Sequence, residues 1–127
     1  MNYGEIKAAI TNRSHRTDLA SHLPEFIALA ESEYNQRTNS TYDLTSGTDN
    51  THNALSDMAP QVYIFGGLKE LAVWTNDDTA LQKYTALYER ALAQAQYAEV
   101  VESGVLDEPM ETELPLLTGS DILEVTP

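Results

Sequence analysis

The sequence predicts an all-α protein, a small antiparallel bundle of about four helices with a long polar loop and an extended C-terminal tail. Apolar residues recur every three or four positions over residues 3–38 and 57–103, which is the helical period. No pair of alternating segments is convincing as strands. A chain of 127 residues is long enough for one domain with a modest core. We therefore expect a helical domain over residues 1–104 and a tail over residues 105–127.

The first two helices are predicted from short capping and periodicity signals. Apolar spacing predicts a first helix from Tyr3 to Arg13. A second helix is expected from Ser21 to Thr38, because Ser21 is a suitable N-cap. Pro24 then lies in the first turn, where a missing N–H group loses no hydrogen bond.

The third predicted helix covers residues 57–75 and is apolar nearly all round, which indicates burial on more than one side. Its N-cap is Asp57 or Ser56. Gly66 and Gly67 lie inside it, and each glycine costs about 1 kcal/mol relative to alanine in a helix. The pair therefore indicates either a close approach of another backbone or a kink.

The fourth predicted helix begins after Asn76, its expected N-cap, and continues to Ser103. Asp77 and Asp78 then lie in the first turn, where acidic side chains favour the helix dipole. Gly104 follows as a suitable C-terminal stop.

Large apolar side chains at helical spacing are the candidates for the core and for contacts between subunits. General burial preferences favour these roles over a ligand-binding cage. The candidates are Phe26, Ile27, Tyr63, Phe65, Trp74, Tyr84 and Tyr88.

Residues 39–56 consist almost entirely of Ser, Thr, Asn, Asp and Gly, which predicts a long loop or arm. Loops of this length in a small domain are usually functional or disordered. Tyr42 and Leu44 interrupt the polar run, and we expect them to attach the arm to a neighbour.

Residues 105–127 carry six acidic residues and no basic residue, together with several aliphatic side chains. Purely solvating acidic tails rarely contain so many aliphatic residues. We expect this tail to dock on a partner, and the alternative is that it folds back onto its own domain. The candidate contact residues are Leu114, Leu116, Leu117, Ile122, Leu123 and Val125.

Composition and motifs point away from an enzyme. The formal net charge is −13, the basic residues are scattered, and there is no cysteine. His15, His22 and His52 form no metal-ligand pattern, and no serine lies in a nucleophile elbow. We expect no catalytic, cofactor or metal site. With no apolar run long enough for a membrane span, we also expect a soluble protein made in the cytoplasm.

Three stretches of the N-terminal third resemble phage head-to-tail adaptor proteins, which are also called head-completion proteins. They are Tyr3-Gly4-Glu5-Ile6-Lys7, Arg16-Thr17-Asp18-Leu19, and Leu23-Pro24-Glu25-Phe26-Ile27-Ala28-Leu29-Ala30-Glu31 continuing into Tyr34-Asn35-Gln36-Arg37. A weaker resemblance covers residues 60–101. In the middle the chain differs, because many relatives carry a longer insertion where residues 39–56 are short and polar.

The resemblance implies a helical protein of the virion that forms a ring, typically of twelve subunits, at the head–tail junction. Such a ring docks on the portal protein after DNA packaging, extends the DNA channel and provides a platform for a tail or nozzle protein. It also implies that the C-terminal tail grips the portal and that DNA passes without specific binding. The alternative is an assembly chaperone or small acidic regulator that is not retained in the particle.

Overall fold

The computed structural model describes residues 1–102, and Met1–Gln96 form one compact unit. All regular secondary structure in this described part is helical, which confirms the all-α prediction. The predicted tail, residues 105–127, and the predicted stop at Gly104 lie outside the described residues. The elements are α1 (Tyr3–Ser14), a 3-10 turn (Ala20–His22), α2 (Leu23–Thr38), α3 (Ala54–Met58), α4 (Pro60–Trp74) and α5 (Asp78–Glu102).

Helix α1 begins where the sequence predicted, and its start is fixed by a capping box. The Asn2 Oδ1 accepts a hydrogen bond from the Glu5 N–H at 2.8 Å, and the Glu5 Oε1 accepts one from the Asn2 N–H at 2.9 Å. Each side chain thereby satisfies a backbone donor that the first turn leaves unpaired. The helix ends at His15, which adopts the left-handed conformation.

Helix α2 begins two residues later than predicted, and Ser21 is not its N-cap. Ser21 lies within the 3-10 turn, and His22 precedes the helix without a side-chain capping bond. Pro24 lies in the first turn as expected. The 3-10 turn positions the chain for the start of α2, because the His22 N–H donates to the Leu19 carbonyl at 2.9 Å.

The third predicted helix is in fact two helices, so the described residues contain five α-helices rather than about four. Residues preceding a proline disfavour the helical region, and Ala59 before Pro60 has φ −144° and ψ 65°. Helix α3 therefore ends at Met58 and α4 starts at Pro60. The N-cap of α3 is Asn53, and neither Asp57 nor Ser56 serves as the predicted cap.

The start of α5 also differs from the prediction, because Asp77 caps it instead of Asn76. The Asp77 Oδ1 accepts a hydrogen bond from the Ala80 N–H at 3.0 Å. Asn76 occupies the left-handed region with φ 56°, a conformation that asparagine tolerates better than most residues. Asn76 therefore forms the turn between α4 and α5, and the cap falls on the next residue.

The two glycines of α4 lie directly against side chains of neighbouring helices, so a close approach is found, which is one of the two alternatives that the sequence left open. A Cβ atom on Gly66 would collide with the Cβ of Ala30 on α2 and lie 2.8 Å from Cε1 of Tyr88 on α5. A Cβ on Gly67 would lie 2.6 Å from Cδ1 of Ile10 on α1. The glycines thus allow three helices to pack directly on the backbone of α4.

The polar loop before α3 is anchored to its own domain at several points. The Tyr3 and Gly4 N–H groups donate to the carbonyls of Thr51 and Asp49 at 2.8 and 2.9 Å. Leu44 is fully buried in the core. Residues 39–53 form a loop, whereas residues 54–56 of the predicted loop belong to α3, and Leu44 attaches the loop to the protein's own core.

Candidate protein-interaction surface

A single buried carboxyl group joins α2, α4 and the polar loop. The Glu31 Oε2 accepts a hydrogen bond from the Tyr63 hydroxyl at 2.6 Å and another from the Leu44 N–H at 2.8 Å. The Asn53 Nδ2 also donates to the Tyr63 oxygen at 3.2 Å. Glu31 is only 4% exposed and Tyr63 is fully buried. Buried polar groups with these partners stabilise one arrangement of the chain.

The environment of this contact favours a structural role over a chemical one. Burial, and then the hydrogen bond to Glu31, raise the pKa of the Tyr63 hydroxyl far above its usual range. Burial likewise raises the pKa of Tyr88, whose hydroxyl donates to the Ala30 carbonyl at 2.8 Å. Both hydroxyls therefore remain protonated at neutral pH and act as hydrogen-bond donors.

The loop receives a second anchor from the side chain of Asn35 on α2. Its Nδ2 donates to the Tyr42 carbonyl at 2.9 Å, and its Oδ1 accepts from the Tyr42 N–H at 3.1 Å. The Tyr42 ring lies 6.1 Å from the ring of Tyr34, centroid to centroid. Tyr42 and Leu44 therefore both contact α2 in the same chain.

The C-terminal end of α4 carries two exposed apolar side chains, Val73 and Trp74, which we call the Trp74 patch. Val73 and Trp74 are each 52% exposed. The Trp74 ring lies 4.5 Å from the His22 ring and 6.0 Å from the Phe26 ring. Because Phe26 is buried, it holds the indole from beneath while the outer half faces solvent.

The turn before α2 brings together the two charged residues of the Arg16-Thr17-Asp18-Leu19 stretch. The Arg16 Nε and Nη2 atoms donate to the two carboxylate oxygens of Asp18 at 2.9 and 2.8 Å. This hydrogen bond lowers the pKa of the exposed Asp18 to about 2. Leu19 is buried beside the ion pair, so the stretch closes the turn and anchors it to the core.

A second ion-pair group joins α2 to α4 and α5. Arg37 donates from Nη1 and Nη2 to the two oxygens of Glu89 at 2.9 and 3.0 Å, and from Nη2 to Glu33 at 2.9 Å. Lys69 on α4 also pairs with Glu33, at 3.3 Å. Isolated exposed pairs contribute little, but a bidentate arginine within a network orients the helices that it links.

A cleft opens where the end of α1 meets α4 and the start of α5. Its volume is about 270 Å³, and Arg13, Arg16 and Tyr84 are among the residues that line it. Tyr84 stacks on Phe65 with ring centroids 6.4 Å apart. Two cations flank the pair, because the Arg13 Cζ lies 5.4 Å from the Phe65 centroid and the Lys83 Nζ lies 5.2 Å from the Tyr84 centroid.

The seven candidate core and contact residues separate into buried and exposed positions. Phe26, Ile27, Tyr63 and Tyr88 are buried in the core. Phe65 and Tyr84 are partly buried at the cleft, and Trp74 alone among the seven candidates is exposed. The candidate contact residues of the tail, Leu114 to Val125, lie outside the described residues.

The described residues contain no group of histidine and acidic side chains that could hold a metal ion. No helix among residues 1–102 is both long enough and apolar enough to cross a membrane. Neither finding identifies a function. Leu29 and Tyr97 are also exposed, at 47% and 62%, but Trp74 is the exposed aromatic side chain that the sequence had singled out as a contact candidate.

Sequence reasoning missed the role of Glu31 and the whole cleft. A weak signal for Glu31 exists, because it lies four residues after Ile27 and three before Tyr34, both on the apolar stripe. The cleft gave no comparable signal, since its lining residues come from the end of α1, the turn after it, α4 and the start of α5, which are distant in the sequence.

In comparisons with protein-family models, curated proteins and solved structures, nothing matches this chain.

Proposed function

We propose that this chain is a structural virion protein that forms the head-to-tail adaptor ring of a phage. In this role it docks on the portal protein after DNA packaging, extends the DNA channel and presents a platform for the tail or nozzle protein. The ring has about twelve copies, and its function is binding rather than catalysis.

The observation that carries the proposal is the Trp74 patch. A half-exposed tryptophan beside a half-exposed valine places apolar surface in water, and burial of that surface against another protein would favour association. Tryptophan is also among the residues that contribute most to binding at interfaces. We assign this patch to the contact between neighbouring subunits of the ring.

The resemblance to adaptor proteins includes one of the two residues whose rings contact Trp74. Phe26 belongs to the resembling helix stretch, and His22 immediately precedes it. The Arg16–Asp18 turn and its buried neighbour Leu19 lead the chain into that helix. One resembling residue, Phe26, thus contacts the exposed tryptophan, which supports its assignment to a contact surface.

The acidic composition agrees with a channel through which DNA moves. A net charge of −13 repels the phosphate backbone, so a wall of such subunits does not retain DNA. The tail supplies a separate contact in this account, in which its aliphatic residues grip the portal. Those residues are Leu114, Leu116, Leu117, Ile122, Leu123 and Val125.

The first test is quantitative mass spectrometry of purified particles from the phage or prophage that encodes this chain. About a dozen copies per particle are expected for a closed ring. Absence from particles, combined with presence in assembly lysates, would contradict the proposal and favour an assembly chaperone or a small acidic regulator.

The second test addresses the subunit contact directly. Trp74→Ser should prevent ring formation in native mass spectrometry with portal protein present, whereas the conservative variant Trp74→Phe should retain it. Circular dichroism checks that both variants fold. Rings that form equally well with Trp74→Ser would remove the patch from the interface.

The third test concerns the tail. Deleting residues 105–127 should leave a folded helical protein that no longer binds portal in a co-sedimentation assay. Portal binding that survives the deletion unchanged would show that the tail is not the portal contact.

A further inference from the structure

The outer face of α5 carries two cations on one side of the helix. Lys83, Leu87, Arg90 and Gln94 follow one another at intervals of four, three and four residues, which places them in one row along α5. Lys83, Arg90 and Gln94 are exposed, and Leu87 is half-buried between the two cations. We call these four residues the α5 stripe.

The cations of the α5 stripe have no acidic partner among residues 1–102. Neither Lys83 nor Arg90 forms an ion pair there, and no residue three or four positions from either one is acidic. The Lys83 Nζ lies 5.2 Å from the centroid of the Tyr84 ring, a contact that leaves its charge in place. Most other basic residues of the chain are paired with a carboxylate: Lys7, Arg16, Arg37 and Lys69.

The acidic residues nearest to the stripe in sequence are engaged or point elsewhere. Glu89, which precedes Arg90, accepts hydrogen bonds from both terminal nitrogens of Arg37. Asp78 is the first residue of α5 and lies five residues before Lys83, which places it on another side of the helix. The stripe is therefore a positively charged strip on a chain whose net charge is −13.

One segment of the same sequence has the complementary charge. Residues 105–113, which lie outside the described residues, contain four acidic residues and no basic residue. Glu108 is followed by Pro109, and a residue before a proline favours extended backbone conformations. In a polyproline II conformation residues three positions apart lie on the same side, about 9 Å from each other. Glu108 and Glu111 have that spacing, and Lys83 and Arg90 lie about 10 Å apart along their helix.

We propose that the α5 stripe binds the acidic segment of residues 105–113 from a second copy of this chain. Glu108 and Glu111 pair with the two cations, and Leu87 supplies an apolar surface for their aliphatic stems. The choice of a second copy rests on the proposed function, because a ring holds the segment of one subunit close to the α5 of its neighbour at high effective concentration. The aliphatic residues after position 113 remain available for the portal.

The experiment traps this contact with a disulfide bond between two different chains, which is feasible because the protein contains no cysteine. Chains with Ala86→Cys are mixed with chains with Met110→Cys under mild oxidation, in the presence of portal protein. Ala86 is exposed beside the stripe, and Met110 lies between the two glutamates in sequence. We expect about fivefold more linked heterodimer than when the first thiol is placed on the exposed face of α2 by Ser32→Cys.

Substitutions in the segment test the charge complementarity. Glu108→Gln combined with Glu111→Gln should lower the heterodimer yield about fivefold, and added salt should lower it in the parent. The matched control is Asp121→Asn combined with Glu124→Gln, which removes two acidic groups beyond the segment and should leave the yield unchanged. Equal losses from the two pairs would overturn the proposal. Circular dichroism checks that every variant is folded.

Substitutions on α5 test the other side of the contact. Arg90→Gln should lower the yield, whereas Arg13→Gln, which removes an unpaired cation from α1, should not. Equal losses would reduce the effect to net charge and contradict a specific stripe. A single-stranded oligonucleotide that displaces the segment at low concentration would assign the stripe to nucleic acid instead.

The source of the segment is tested with both cysteines in one chain. When chains with Ala86→Cys and Met110→Cys are diluted with the cysteine-free parent, we expect their linked dimers to decrease. An internal disulfide that survives dilution would assign the segment to its own chain and contradict the second copy. Native mass spectrometry counts rings in the same samples. Rings without heterodimer would overturn this contact alone, and heterodimer without rings would contradict the proposed ring.

Discussion

The two ends of α4 differ in how fully their side chains are buried and hydrogen-bonded within the protein. At the N-terminal end, Tyr63 is fully buried and hydrogen-bonded to Glu31 and Asn53. At the C-terminal end, Val73 and Trp74 are about half exposed, and the Trp74 ring contacts the rings of His22 and Phe26. The side chain at the first end is buried and hydrogen-bonded within the chain, whereas the indole at the second end keeps about half of its surface in contact with solvent.

This difference assigns different tasks to the two ends. Substitutions at the N-terminal end should change the free energy of unfolding, because they leave buried polar groups or packing unsatisfied. Substitutions at the exposed Trp74 should change association and leave folding nearly intact. A variant at the N-terminal end that changes only association, or a Trp74 variant that changes only the free energy of unfolding, would contradict this assignment.

The largest effect on folding is expected for Glu31→Ala. It leaves the Leu44 N–H and the Tyr63 hydroxyl buried without their acceptor, which costs about 3 kcal/mol of unfolding free energy. Urea denaturation of the full chain measures this loss. Glu31→Gln, which keeps one carbonyl oxygen, should lose less, and Glu25→Ala on the exposed face of α2 should lose little. A loss with Glu25→Ala equal to that with Glu31→Ala would break the comparison.

Gly66→Ala tests how tightly the middle of α4, between the two ends, is packed against its neighbours. Alanine is the better helix former, but the added methyl group would collide with Ala30 and the Tyr88 ring. We expect a net loss of about 2 kcal/mol, measured by thermal and urea denaturation. The control is Gly4→Ala in α1, where the closest neighbour is the exposed Asp49. A stabilised Gly66→Ala protein would show that α4 has room there.

A smaller effect follows from the buried tyrosines at high pH. The pKa of Tyr63 and that of Tyr88 are raised in the folded state, so the unfolded chain loses these protons first. The stability they contribute is therefore complete below about pH 10 and is lost as the pH rises above it. The loss is about 1.4 kcal/mol per pH unit for each tyrosine. Tyr63→Phe should flatten the dependence between pH 10 and 11 in urea titrations, and an unchanged slope would contradict the buried contact.

The sequence predicted the helices better than their junctions. The start of α1 followed from apolar spacing, and the glycine pair indicated either a close approach or a kink, because both signals are local in the sequence. The break at Pro60 and the shift of the α5 cap to Asp77 depended on backbone conformations that several residue types can adopt. Local patterns left those alternatives open.

The functional surfaces were predictable only in part. Trp74 was recognised as a candidate contact from its spacing, but the same pattern also selected Phe26 and Tyr63, which are buried. Periodicity shows which face of a helix is apolar, but it does not show which part of that face is left unburied in the folded chain. Leu44 was expected to contact a neighbour, but it is buried in its own core and its N–H donates to Glu31, which lies 13 residues away.

Trp74 is the chain's single tryptophan, so one spectroscopic probe tests the central claim that its end of α4 is completed by another subunit. We would label this chain with 5-fluorotryptophan and record its ¹⁹F spectrum alone and after assembly on unlabelled portal protein. The account predicts a solvent-exposed signal in the free protein that becomes shielded from solvent in the ring. A signal that keeps its full solvent exposure after assembly would contradict it.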